Sequence, residues 1–266
     1  RFVLMNLDGV DNNDIDFNKL TIADKWILDK LNKTAQEINE NIKNYRIGET
    51  AHVLYDFFWN SYCDWYVEIA KIQLQDSELK ANTQRVLRYV LDMSLRMLHP
   101  IMPHITERVW QLIPKKSEFS AIIIAKFPVF EEKLDFPKEA REMELVFETI
   151  KSLRKVRQSF NISTSLKMDI EIRATEEEKP VFEEIEAYIK RLAKVENITY
   201  ADVNAPVPQK TATAVVSASK IVLSLENLID FNEEIKRQQK KLDKLTGEKK
   251  SLSGRINNPK FVANAP

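Results

Sequence analysis

The chain has 266 residues, 44% of them hydrophobic and 30% charged, with 40 basic side chains balanced by 40 acidic ones. Zero formal net charge excludes capture of nucleic acid by a global field and leaves that task to a local basic patch. The lone Cys63 excludes an internal disulfide and a cysteine-based metal cluster and fits a reducing cytoplasm, while no run of about 18 apolar residues exists to span a membrane.

Arg1-Phe2-Val3-Leu4-Met5-Asn6-Leu7 reads as the tail of a helix, followed by a loop rich in Asp and Asn from Asp8 to Asp16. The start lacks both Met and a signal-peptide pattern, so a fragment of something longer is expected. Thr21, with Asp24 three residues on, is a helix N-cap signature. It opens a helix with Ile27, Leu31, Ala35, Ile38 and Ile42 at bundle spacing. Tyr45-Arg46-Ile47-Gly48 turns the chain into a second long helix. There Ile47, Ala51, Leu54, Phe58, Tyr62, Trp65 and Ile69 step by three or four residues, so one continuous apolar stripe is expected. A polar break at Gln75–Ser77 precedes a third helix, apolar on nearly every side from Val86 to Leu98 and expected to be the most buried element. His99-Pro100-Ile101-Met102-Pro103 ends it, because proline lacks an amide donor and clashes with the preceding turn. Pro103 then suits the first turn of a helix carrying Ile105, Val109 and Trp110.

Beyond Ser120 the texture changes. Pro128 and Pro137 mark a boundary, and a helix follows from about Lys138 to Phe160. Leu166, Met168, Ile170 and Ile172 alternate with polar residues, the period of a half-buried strand. Thr175 and Glu178 form a second capping box before a helix with Phe182, Ile185, Ile189 and Leu192. Ile198 to Val203 and Ala214 to Leu225 read as further strands. In the last segment Ile235, Leu242, Leu245, Leu252 and Ile256 fall on heptad a and d positions, with Gln238 and Lys249 filling the rest of the seam. Such a helix is marginal alone, so a partner strand is expected, and Asn257-Asn258-Pro259 reads as a turn before a returning helix that has been cut off. The fold class is mainly α (α+β): an antiparallel helical bundle over 1–128, a small α/β subdomain over 138–229, and a truncated coiled-coil helix over 230–266.

Chemistry is thinly supplied. The four glycines form no phosphate-cradling loop and only three histidines occur, so no catalytic residue and no metal site is expected within the chain. Asp64 and Glu68 make an i, i+4 carboxylate pair, but Lys71 lies nearby and no histidine is in register, which makes them structural. His99 is expected to cap or orient the proline-interrupted helix end.

Several segments together resemble the C-terminal part of class I aminoacyl-tRNA synthetases, the valyl enzymes most closely. Asp24-Lys25-Trp26-Ile27-Leu28 is similar to that family's Asp-Arg-Trp-Ile-Leu, and Cys63-Asp64-Trp65-Tyr66-Val67-Glu68 to its valyl signature. Arg1 to Leu7 resembles the end of the helix that follows the catalytic core. His99 to Glu107 resembles the shared bundle motif, and Phe261 to Pro266 the elbow of a coiled-coil hairpin. His104 and Arg108 stand where valyl enzymes more often carry an aromatic and an acidic residue, His104 being the leucyl-like choice.

The resemblance implies a chain that binds the anticodon stem-loop of tRNA(Val), as a monomer in the cytoplasm. ATP with Mg would be used by an upstream core, since neither ATP-site signature of the family is present here. It also implies that Arg1 lies on a helix that reads anticodon bases, with Asn6 and Arg46 as polar partners. Lys25 would supply a phosphate contact. Trp26 has two readings, a core side chain or a platform on which an unstacked base lies. In the terminal helix Lys241, Lys244, Lys249, Lys250 and Arg255 belong to a basic face that reads either as solvated charge or as a surface for the outer corner of tRNA. Two rivals stand beside this reading: the same region of an isoleucyl or leucyl enzyme, and a helical scaffold that binds protein rather than RNA.

Overall fold

The computed structural model describes residues 1–114 and 119–257. The chain is mainly α, with one four-stranded mixed sheet, and divides into two compact units, Arg1–Thr149 with Val181–Leu192, and Ile150–Pro180 with Ala193–Pro266.

The first unit is an antiparallel bundle. Its short α1 (Phe2–Asn6) is followed by α2 (Ile22–Lys43), whose start is fixed by a complete capping box. The Asp24 amide donates to Thr21 Oγ1 at 3.2 Å and the Thr21 amide to Asp24 Oδ2 at 3.0 Å, satisfying two amides that the helix itself leaves open. The end of α2 is equally defined. Arg46 N–H reaches the Asn41 carbonyl and Tyr45 N–H that of Ile42, a Schellman closure with Tyr45 in the left-handed region at φ 57°.

The next helix runs as α3 (Ile47–Tyr55), a π-helical stretch over Asp56–Tyr66, and α4 (Val67–Gln73). This corrects the expected stripe. Hydrogen bonds from i to i+5 take more residues per turn than 3.6, so the buried face slips in phase along the stretch. Leu54, Tyr62 and Ile69 are buried as expected. Phe57 and Tyr66, off the expected stripe, are buried too, whereas Ile47 and Ala51 are exposed. Then α5 (Lys80–Leu98) returns antiparallel, with Tyr62 Oη donating to the Leu87 carbonyl at 2.9 Å. After the proline turn comes α6 (Pro103–Trp110), which buries Thr106 and Trp110 but leaves Ile105 outside. His99 fixes this corner as expected, its Nδ1 lying 2.8 Å from Thr106 Oγ1.

The most buried element is α2 rather than α5, with 13 of 22 residues buried against 10 of 19. The residues after α6 explain the difference. Asn32 exchanges two hydrogen bonds with the Glu131 backbone, Asn39 donates to the Pro128 carbonyl, and Asp29 accepts from the Phe136 amide. Side chains of α2 thus lace an extended strap along a face that periodicity alone would leave open. A buried polar cluster closes the unit. Tyr66 Oη donates to Asp24 Oδ1 at 2.6 Å, Gln73 Nε2 to Thr21 Oγ1 and Tyr188 Oη, and Thr83 Oγ1 to Gln73 Oε1.

A long α7 (Pro137–Ser159) carries the chain from the first unit into the second. There β1 (Met168–Arg173) buries Met168, Ile170 and Ile172, while Leu166 lies outside the strand and is exposed. After α8 (Lys179–Glu184) and α9 (Glu186–Ala193), β2 (Val195–Ala201) pairs parallel to β1, with a register shift between Met168 and Ile170. The segment expected as strand from Ala214 to Leu225 is a hairpin, β3 (Thr211–Val216) and β4 (Ser219–Ser224), giving the order β2-β1-β4-β3. Ser217, at φ 52°, makes the tight turn. The second capping box is half formed. Thr175 Oγ1 accepts from the Glu178 amide, but the Glu178 carboxylate crosses to the hairpin turn and accepts from Ser219 and the Ala218 amide. Arg157 sits buried among backbone carbonyls of Ser163, Leu166, Ala193 and Lys194, and desolvation holds its guanidinium below its usual pKa. The unit ends in α10 (Phe231–Ile256), capped by Asp230, whose Oδ1 accepts from the Asn232 and Glu233 amides. The expected turn at Asn258-Pro259 and the elbow over Phe261 to Pro266 lie outside the described residues.

Candidate nucleic-acid interface

The five bundle candidates do not converge. Lys25 stands at the start of α2 and Arg46 beyond its end. The helix between them separates the two by roughly 27 Å at 1.5 Å per residue. Arg46 is exposed and pairs with Glu49 at 3.3 Å on its own helix.

Lys25 donates to Glu139 at 2.9 Å and is only partly exposed. Burial by itself would raise the Glu139 carboxyl, yet the lysine beside it holds it below its usual range. Trp26 is 6% exposed. Its ring meets Phe147 edge-on at 4.7 Å, and Trp65 lies against the same phenylalanine at 4.3 Å. Of its two readings the tryptophan takes the core one, and the stacking-platform expectation is corrected: no ring face is left for a base. The cause is α7, which delivers Phe147 between the two indoles. Nothing in the Asp24–Leu28 motif itself announces that neighbour.

Around α1 the geometry differs. Arg1 is exposed at the start of the helix. Phe2, half-buried beside it, has the Lys71 ammonium 5.5 Å from its ring centroid, within cation–π range. Glu68 also pairs with Lys71, which gives the Asp64/Glu68 helix face the structural role expected for it. Asn6 is less available: its Nδ2 donates to the Phe2 carbonyl at 2.9 Å, and its own carbonyl accepts from Gln84 Nε2 at 2.6 Å. Arg1, Phe2 and Lys71 therefore form a small aromatic and cationic group, of which the motifs supplied Arg1 alone. Phe2 was legible as its neighbour in sequence, whereas Lys71 arrives from α4 through folding and carries no local signal.

On α10 the cations stand clear of the protein. Lys241, Lys244, Lys249 and Lys250 are exposed, and only Lys244 has an acidic partner, Glu248 at 3.9 Å. Arg237, by contrast, is spent on the Ser159 carbonyl and Glu234. The helix backbone includes residue 255, but the Arg255 side chain lies outside what is described. Along the seam Ile235, Leu242, Leu245, Leu252 and Ile256 are 52–67% exposed. Lys249 shares that seam, and Lys241 flanks it, while Lys244 and Lys250 project from other heptad positions. One helix thus presents an uncovered apolar line beside unpaired ammonium groups.

The chain resembles known proteins over its whole length. It is 41% identical over 272 residues to the valine--tRNA ligase of Listeria monocytogenes, 38% over 271 residues to that of Enterococcus faecalis, and 37% over 270 residues to that of Geobacillus kaustophilus. Each alignment covers 100% of this chain and 30% of the relative, so the chain spans under a third of the length of the curated relatives it matches. Residues 230–266 match the family described as the valyl tRNA synthetase tRNA binding arm. Residues 24–172, more than half of the chain, match the anticodon-binding domain of tRNA ligase, and the chain belongs to that family.

Proposed function

We propose that this chain is the tRNA-binding part of a valine–tRNA ligase, and that it holds tRNA(Val) while a catalytic core outside the chain charges it with valine. The observation that carries this reading is the order of two matches in one chain, an anticodon-binding domain over 24–172 followed by a tRNA binding arm over 230–266. The division of labour follows from the side chains. Arg1, Phe2 and Lys71 join a guanidinium, an aromatic ring and an ammonium, the groups that hold unstacked loop bases and the phosphates between them. The free lysines of α10 suit phosphate contacts, which fix the position of an RNA without reading its sequence. The functional modules we assign are the bundle 1–128, the α/β platform 138–229 and the arm 230–266. The full protein would act as a monomer in the cytoplasm, with ATP and Mg used by the core; no residue of this chain is assigned to them.

Binding of tRNA(Val) to the full-length protein, measured at moderate salt against an unrelated tRNA and against tRNA(Val) with a changed anticodon, tests the proposal. At least tenfold tighter binding of the natural tRNA is expected. Equal binding of the unrelated tRNA would sink it, and retained binding after the anticodon change would favour an isoleucyl or leucyl enzyme.

A further inference from the structure

One side of the bundle carries an open groove of about 380 Å³ between α1, the π-helical stretch, α5 and α6, walled by Phe2, Phe58, Cys63, Leu95, Met102 and Ile105. Arg1 is the one charged residue among its walls. The α6 rim is apolar and uncovered: Ile101, Met102 and Ile105 are 39%, 44% and 57% exposed on successive turns. Apolar side chains grouped around a concave surface mark an interaction site, whereas the same residues scattered singly would not. An RNA backbone is a poor fit, because one cation at the edge leaves its phosphates unpaired along the whole groove. An apolar protein segment fits the walls, as the fully buried centre of a lasting interface is depleted in charge.

We infer that this groove is the docking site for the rest of the same polypeptide, seating an apolar segment from the catalytic part of the ligase. The inference rests on the reading that the chain belongs to a longer valine–tRNA ligase. Its support is the length of the relatives: 70% of each lies outside the matched region. A segment of the same chain is held at high effective concentration, so it fills an apolar groove ahead of any partner free in solution. Seated there, it would fix the bundle relative to the core and thus hold the anticodon contacts at a set distance from the reacting end of the tRNA.

The test uses the full-length protein with a benzophenone amino acid in place of Ile105, an exposed position where the change leaves the core untouched. On irradiation, the expected product is an intramolecular cross-link to a peptide outside these 266 residues, unaffected by protein concentration or added tRNA. Cross-links to RNA, to a second copy, to residues within this chain only, or to nothing would each overturn the inference. A second arm uses Ile105→Asp. Valine charging should fall at least tenfold in kcat/KM while tRNA affinity stays within twofold. Unchanged charging, or a parallel loss of affinity, counts against it. A wild-type protein that binds no tRNA would instead defeat the functional proposal and leave the cross-linking result standing.

Discussion

Lys25 and Lys241 are both lysines on long helices, and they are used in opposite ways. In the bundle the cations are consumed by the fold. Lys25 holds Glu139, Lys33 holds Asp29, and Arg96 holds Asp92. Arg85 grips Asp11 through two hydrogen bonds and keeps that carboxyl well below its ordinary pKa. On α10, Lys240, Lys241, Lys249 and Lys250 make no ion pair among the described residues. A cation already paired must give up its partner before it meets a phosphate, whereas a free one releases only counterions. The contrast separates a bundle that sets shape from an arm that supplies charge.

The largest effect should come where the bundle binds its tryptophans. Phe147→Ala removes the ring that Trp26 and Trp65 share, and a loss of about 3–5 kcal/mol is expected from urea unfolding. A loss below about 1 kcal/mol would mean that the indoles do not depend on this packing. It would also reopen Trp26 as a surface for bases.

Tyr66→Phe comes next. It deletes the hydroxyl that donates to buried Asp24, and about 1.5–3 kcal/mol should be lost. The same site gives a pH dependence of fixed sign. Burial raises the Asp24 carboxyl above its ordinary 3.8, against the lowering pull of hydrogen bonds from Tyr66 and Thr21. Between 3.8 and the raised folded value, the folded state keeps a proton that the unfolded state has released. Asp24 therefore contributes a fall in stability as pH rises through that window, and a plateau above it. Unfolding midpoints across the acid range should show this fall extended to higher pH in Tyr66→Phe and absent in Asp24→Asn. An opposite slope for the Asp24 contribution would refute the assignment.

On the arm, Lys241→Ala and Lys250→Ala should leave folding unchanged. Each should weaken RNA binding about equally for matched and unrelated tRNAs, lowering the salt slope by about 1. Lys25→Ala should change that slope little, since its amine is held by Glu139. Equal salt effects at both sites would erase the distinction between the regions.

Much of this arrangement was legible in sequence where one residue type sufficed. The Thr21–Asp24 cap, the Pro103 helix start and the alternation through Ile170 and Ile172 each follow from local rules, and each is present in the fold. Readings failed where a distant partner decided. Phe57 is buried because the π-helical turns shift its phase, a departure that a 3.6-residue template cannot register. Trp26 lost its face to Phe147, 121 positions along, and Lys71 gained a role only through Phe2. The arm was the more readable region for the same reason. With nothing packed against it, heptad and charge pattern describe it fully.

The smallest effect is expected at the seam, and it is the sharpest probe of the contrast. Leu245 is as apolar as Leu54, but it is 52% exposed where Leu54 is 1% exposed. Leu54→Ala should cost about 2–5 kcal/mol through lost transfer energy and the cavity left behind. Leu245→Ala in this chain removes few contacts, and alanine favours helix at least as well as leucine, so the change should stay within about 0.5 kcal/mol. The comparison becomes decisive when a partner helix is supplied to the seam. The same substitution should then cost as much as a core leucine, because the side chain passes from water into a knobs-into-holes contact. A large loss in this chain alone would show that the seam is already covered. An unchanged small loss with the partner present would show that the heptad pattern serves no coiled coil.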